Sequence, residues 1–140
     1  MAQIYIVYNA DSTPMGKIRY ACTKLMSSAS DSPCSACDLT HNGLHLNETA
    51  RWAATKKRII GSDVQQLHRD ELSNELKTYI DSEKLDLPVV LGQESTDAPL
   101  KVLMKKGELA DCSKDHEKFL GALQKNASGE GIALNIQSKM

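Results

Sequence analysis

The sequence predicts a single α/β domain, a mixed central sheet with flanking helices and an inserted helical segment. Three observations carry this. Short β-branched and aromatic runs occur at residues 4–8, 87–91 and 100–104. Apolar residues at helical spacing fill the stretches between and after them. The 140-residue length suits one domain able to bury a core without staples.

Ile4, Tyr5, Ile6, Val7 and Tyr8 form the first strand. Residues 9–14 break it, and Thr13 and Pro14 open a helix as cap and first helical residue. Met15, Ile18, Cys22, Leu25 and Met26 share one face, which makes Cys22 a core thiol. A serine-rich surface loop follows at 27–32. Asn47 and Glu48 start a second helix, with Trp52, Ala53, Lys56, Ile59 and Ile60 on one side and Gly61 as its stop. Residues 64–68 read as a weak strand. Asp70, Glu71 and Leu72 begin a helix whose apolar face is Leu72, Leu76, Tyr79 and Ile80. The strands at 87–91, headed by Pro88, and at 100–104 follow, the second ending in a turn at 105–108. Ser113 caps a last helix bearing Phe119, Leu120 and Leu123. The domain is expected to end at 126, with 127–140 a loosely held tail in which 132–136 could add a short strand.

Early strands separated by helices should run parallel, and the last two should pair antiparallel. This element order resembles that of thioredoxin-like folds. The resemblance implies that Pro88, at the head of its strand, is a cis-proline beside a dithiol.

A dithiol is present in the chain. Cys34 and Cys37 are spaced C-x-x-C, close enough to close a small disulfide ring or to share one metal ion. Ser32 can cap a helix, and Pro33 fits its first position. Cys34 would then face the positive end of a helix dipole, which favours thiolate. Gly43 is a natural stop. In the redox reading Cys34 is the attacking thiolate and Cys37 the resolving thiol. In the metal reading zinc is the cofactor and Cys34, Cys37 and His41 are ligands. His45 follows, but three residues between the cysteine and histidine pairs make a four-ligand cage cramped. In the structural reading the two thiols only brace a turn. The chain departs from thioredoxins in two ways: a whole helix separates the dithiol from the first strand, and Pro33 replaces the usual aromatic. The resemblance is one of element order and not of motif register.

Two other motifs fail. Residues 5–18 follow the strand–loop–Gly-Lys–helix order of a phosphate loop, but Asp11 stands at the first glycine position and Ile18 replaces the magnesium-binding hydroxyl. His68, Arg69 and Asp70 match a kinase catalytic loop, but the glycine-rich loop and the Asp-Phe-Gly motif are missing. The plain reading there is a strand end, an Asp70 helix cap, and solvated Arg69 and Glu71. The functional one is that His68 ends a strand where α/β folds gather their sites, with Asp11 and Ser12 facing the same crevice. His116 reads as a surface histidine and Cys112 as a packed thiol.

The segments 6–12, Pro33-Cys34-x-x-Cys37-x-Leu39-Thr40-His41-x-Gly43, Trp52 and 67–72 together resemble a family of small bacterial proteins. The resemblance covers nearly the whole chain. It implies a shared scaffold that places Asp11, Cys34, Cys37 and His68 in one site, and nothing further about chemistry.

A net charge of −1 argues against a nucleic-acid partner. The one basic run, Lys56 to Arg58, reads as a solvated helix end. No run approaches the roughly 20 apolar residues of a membrane span, and the N-terminus has no export leader. The expected location is the cytoplasm, where thiols stay reduced. The expected partner is a protein or small-molecule thiol.

Overall fold

The structure, a computed structural model, describes residues 2–8, 50–112 and 115–137. The elements are β1 (Ala2–Tyr8), α1 (Ala50–Lys56), β2 (Ile59–Ile60), β3 (Ser62–His68), α2 (Asn74–Ser82), β4 (Val89–Gln93), β5 (Lys101–Met104), α3 (Lys106–Cys112), α4 (His116–Gly129) and β6 (Asn135–Ile136). A four-stranded sheet has the order β3-β1-β4-β5, and β2 and β6 form a separate ribbon. β1 runs parallel to β3, while β4 is antiparallel to both β1 and β5. The expected parallel early strands and antiparallel late pair are both present. The Leu87–Pro88 bond is cis.

The sheet is covered on both faces, which explains why β1 and β4 read as nearly unbroken apolar runs. Successive side chains of a strand point to opposite faces. Ile4, Ile6 and Tyr8 join Val90, Leu103, Trp52 of α1, Leu109 and Cys112 of α3, and Phe119, Leu120 and Leu123 of α4. Val7, Val89 and Leu91 meet Leu76 and Ile80 of α2 on the other face. Gly92 lets β4 and β5 close up: a Cβ there would lie 2.5 Å from Leu103 Cδ1.

Several local expectations are corrected. Ile59 and Ile60 are not helical; they form β2, and Gly61, at φ +75°, turns the chain into β3. Ile59 is buried beneath the ribbon and Ile60 faces out. α2 starts four residues later than expected. Its cap is Ser73, whose hydroxyl accepts from the Leu76 N–H, so Asp70 is not the cap. The stretch after β5 is α3 rather than a turn. The last helix is capped by Asp115, which accepts from the Lys118 N–H; Ser113 lies outside the described residues.

Residues 127–136 are tied down instead of loose. α4 continues to Gly129, and Ala127 and Ile132 are buried in the core. The helix closes in a Schellman motif: Gly131 sits at φ +76°, the Ile132 N–H donates to Ala127 O at 2.8 Å and the Gly131 N–H to Ser128 O at 3.2 Å. β6 then pairs with β2. Arg58, half-buried, donates from Nε to Gln137 O at 2.9 Å and pairs with Glu117, so the basic run is not simply solvated.

α2 ends in the same motif, with Leu85 N–H on Ile80 O and Lys84 N–H on Asp81 O. Here the left-handed residue is Lys84, at φ +52°. A side chain in that region costs about 1–2 kcal/mol. Lys84→Gly is therefore expected to stabilise the fold by about 1 kcal/mol, less the extra backbone entropy of glycine in the unfolded chain. Urea unfolding of the two proteins checks this.

Candidate functional site

Three strand ends meet at one edge of the sheet. β1 and β3 are parallel with Tyr8 in register with His68, so their C-terminal ends lie side by side. β4 runs the opposite way, with Val89 opposite Val7, and this brings Pro88 to the same edge. His68 and Pro88 thus share one end of the sheet, the end at which β1 terminates in Tyr8. Asp11, Cys34, Cys37, His41 and Cys22 lie outside the described residues.

Around His68 the side chains form a connected polar group. The Tyr8 and His68 rings are 5.2 Å apart and tilted. Tyr8 is buried, and its hydroxyl accepts from Gln66 Nε2 at 2.7 Å. Gln66 Oε1 in turn accepts from Lys56 Nζ of α1 at 2.7 Å. After His68 the chain makes a turn in which the Glu71 N–H donates to His68 O at 2.9 Å. That turn returns the Glu71 carboxylate to its own strand end. Glu71 Oε1 accepts from the His68 backbone N–H at 2.8 Å and lies 2.6 Å from His68 Nδ1.

The His68 amide hydrogen bond holds the Glu71 carboxyl below its ordinary pKa, with burial opposing and the His68 ring assisting. A depressed carboxyl contributes stability above its unfolded pKa and loses that contribution as pH falls through the folded value. Glu71→Gln should therefore lower the melting temperature at about pH 7, with the gap closing by about pH 3. The side chain is 44% exposed, so solvent screens the pair and the effect on stability is modest. Thermal melts across that range check it. Glu71 was read as solvated from the sequence; the three-residue spacing from His68 was the signal, but it points to a pair only once a tight turn is assumed.

His116 is a second correction. It is 5% exposed, its Nδ1 lies 2.7 Å from Thr55 Oγ1, and its ring stands edge-on to Trp52 at 5.5 Å. It joins α4 to α1 inside the core. Cys112 is buried as expected, and desolvation pushes its thiol up.

The opposite face of the sheet carries a cleft of about 250 Å³ lined by Tyr5, Gln65, Glu71, Glu75 and Gln93 among others. The Tyr5 hydroxyl donates to Gln93 Oε1 at 2.6 Å, and Gln93 Nε2 donates to Ala98 O at 2.7 Å. Those groups are thus committed to one another.

Among the described residues no group of three or more His, Cys, Asp or Glu could hold a metal ion. Among them, too, no helix is long and apolar enough to cross a membrane. No family model matches the chain, and no curated protein and no solved structure is detectably similar to it.

Proposed function

We propose that this chain is a thioredoxin-like dithiol protein of the cytoplasm that exchanges electrons with a partner thiol or disulfide. The observation that supports this reading is the sheet order β3-β1-β4-β5, with its one parallel and two antiparallel pairings. That order agrees with the thioredoxin-like reading of the sequence, and it gathers Tyr8, His68 and Pro88 at one edge.

In the proposed reaction the Cys34 thiolate attacks one sulfur of a partner disulfide. A mixed disulfide forms and one partner thiolate leaves. Cys37, as thiolate, then attacks the Cys34 sulfur and expels the second partner thiol. The two cysteines end as an internal disulfide, and the partner has gained two electrons together with the two protons that the cysteine thiols gave up. Asp11, His68 and Pro88 are assigned to the surroundings of this site. The likeness to small bacterial proteins is part of the same proposal.

The test is to treat the reduced protein with oxidised glutathione and weigh it. A loss of two hydrogens that maps to a Cys34–Cys37 bond supports the reading. Stoichiometric zinc on the purified protein, lost together with Cys34 and Cys37, would replace it with the metal reading, in which His41 is a further ligand.

A further inference from the structure

β5 ends the sheet order β3-β1-β4-β5, so among the described residues no strand lies on its outer side. Such an edge ordinarily offers itself to another strand. This one is blunted. Val90 pairs with Met104 and Leu91 with Val102, which leaves Leu103 as the extra residue of a β-bulge. Leu103 O accepts from Asn126 Nδ2 of α4 at 2.7 Å, and the same nitrogen donates to Glu108 Oε2 at 2.8 Å. A bulge and an occupied carbonyl both oppose strand addition. A second copy paired antiparallel about Leu103 would also set Lys101 against the other copy's Lys105, and like charges directly opposite repel.

Beside this edge lies a cleft of about 620 Å³, an ordinary size for a small-molecule site. Tyr79 of α2 stands on one side of it, and Lys125 and Glu130 from the end of α4 on the other. Lys101 and Lys105 flank β5, and Glu108 comes from α3. Every residue that lines the cleft lies among the described residues. Half-buried Val102 gives it an apolar wall, along which the half-buried Lys101 stem can lie. Three ammonium groups thus share the cleft with two carboxylates. Among the described residues the three lysines make no ion pair, with those carboxylates or any other. Glu108 is instead taken up by Asn126. Burial first, then Glu83 and Glu130, raises the pKa of Tyr79, so its hydroxyl keeps its proton and can donate.

We propose that this cleft binds a small anionic amphiphile. Its apolar body lies on Val102 and the Tyr79 ring, and its carboxylate, sulfonate or phosphate meets the lysines at the rim. The site is separate from the dithiol and does not depend on it.

The probe is anilinonaphthalene sulfonate, titrated into the native protein and followed by fluorescence and by ¹H–¹⁵N correlation spectra. The expected result is one-to-one binding, with shifts confined to Tyr79, residues 101–105 and residues 125–130. Phenylnaphthylamine, the same ring system without the sulfonate, should bind about tenfold more weakly. Combining Lys101→Gln, Lys105→Gln and Lys125→Gln should weaken the sulfonate about tenfold and leave the neutral amine unchanged. Shifts centred elsewhere overturn the proposal, as does wild-type affinity in the folded variant. Equal affinity of the wild type for both probes also overturns it without any variant, because it leaves apolar adsorption alone.

Discussion

Phe119→Ala is expected to destabilise the protein by about 3–5 kcal/mol, the range for deleting a buried aromatic ring. Phe119 is fully buried in α4 and stands edge-on to Trp52 at 5.5 Å. It belongs to the core cluster that α4 shares with Trp52 of α1 and with Ile4 and Ile6 of the sheet. Removing it takes away the transfer free energy of the ring and leaves a cavity walled by other fixed elements. The edge-to-face contact adds about 0.5–1.5 kcal/mol beyond area. A domain of this size has about 5–15 kcal/mol in total. The variant should therefore unfold at a much lower urea midpoint with an unchanged m-value. Leu76→Ala, on the opposite face, is the matched control: an equal loss there would mean that the two faces contribute alike, and no loss in Phe119→Ala would contradict the core described.

Cys34→Ser is expected to reduce disulfide exchange to the background of the remaining thiols. A serine hydroxyl is not ionised at neutral pH and does not attack a disulfide sulfur. Cys37→Ser should behave differently. Its Cys34 can still form the mixed disulfide, but nothing resolves it, so the adduct accumulates one to one. Neither change should lower the melting temperature by more than a degree or two if the thiols serve chemistry. A large loss of stability in both, with exchange unaltered, would favour the turn-bracing reading. Gel shift with a small disulfide and a thermal melt give both answers on the same samples.

The strands were legible because the sheet is buried on both sides. Residues 4–8 and 87–91 have apolar side chains on both faces, so their runs hardly alternate. The helix faces of α2 and α4 were legible because Leu76 with Ile80, and Phe119 with Leu123, recur at the helical period. What failed depended on partners distant in the chain. Ile59 and Ile60 continue a helical spacing from Lys56, and only pairing with Asn135 and Ile136 makes them a strand. His116 looked exposed because its partners, Trp52 and Thr55, are about sixty positions away. The glycine-punctuated end of α4 looked loose because a Schellman closure and a loop share the same composition. Lys106 and Gly107 suggested a turn because Gly107 has poor helix propensity, yet burial of Leu109 and Cys112 outweighs a cost of about 1 kcal/mol. Of the candidate site, only His68 and Pro88 fall among the described residues, and both reach the same sheet edge.

The central claim is the dithiol, and time-resolved alkylation of the native, reduced protein tests it most directly. If Ser32 and Pro33 start a helix, as their residue types suggest, its dipole would lower the pKa of Cys34, whereas burial raises that of Cys112 and the expected core face of its helix would shield Cys22. Mass-spectrometric mapping at several pH values should find Cys34 labelled first and Cys22 and Cys112 labelled only on unfolding. A mild oxidant should protect Cys34 and Cys37 together, and a reductant should restore both. Equal, slow labelling of all four cysteines, with no pair protected after oxidation, would contradict the account.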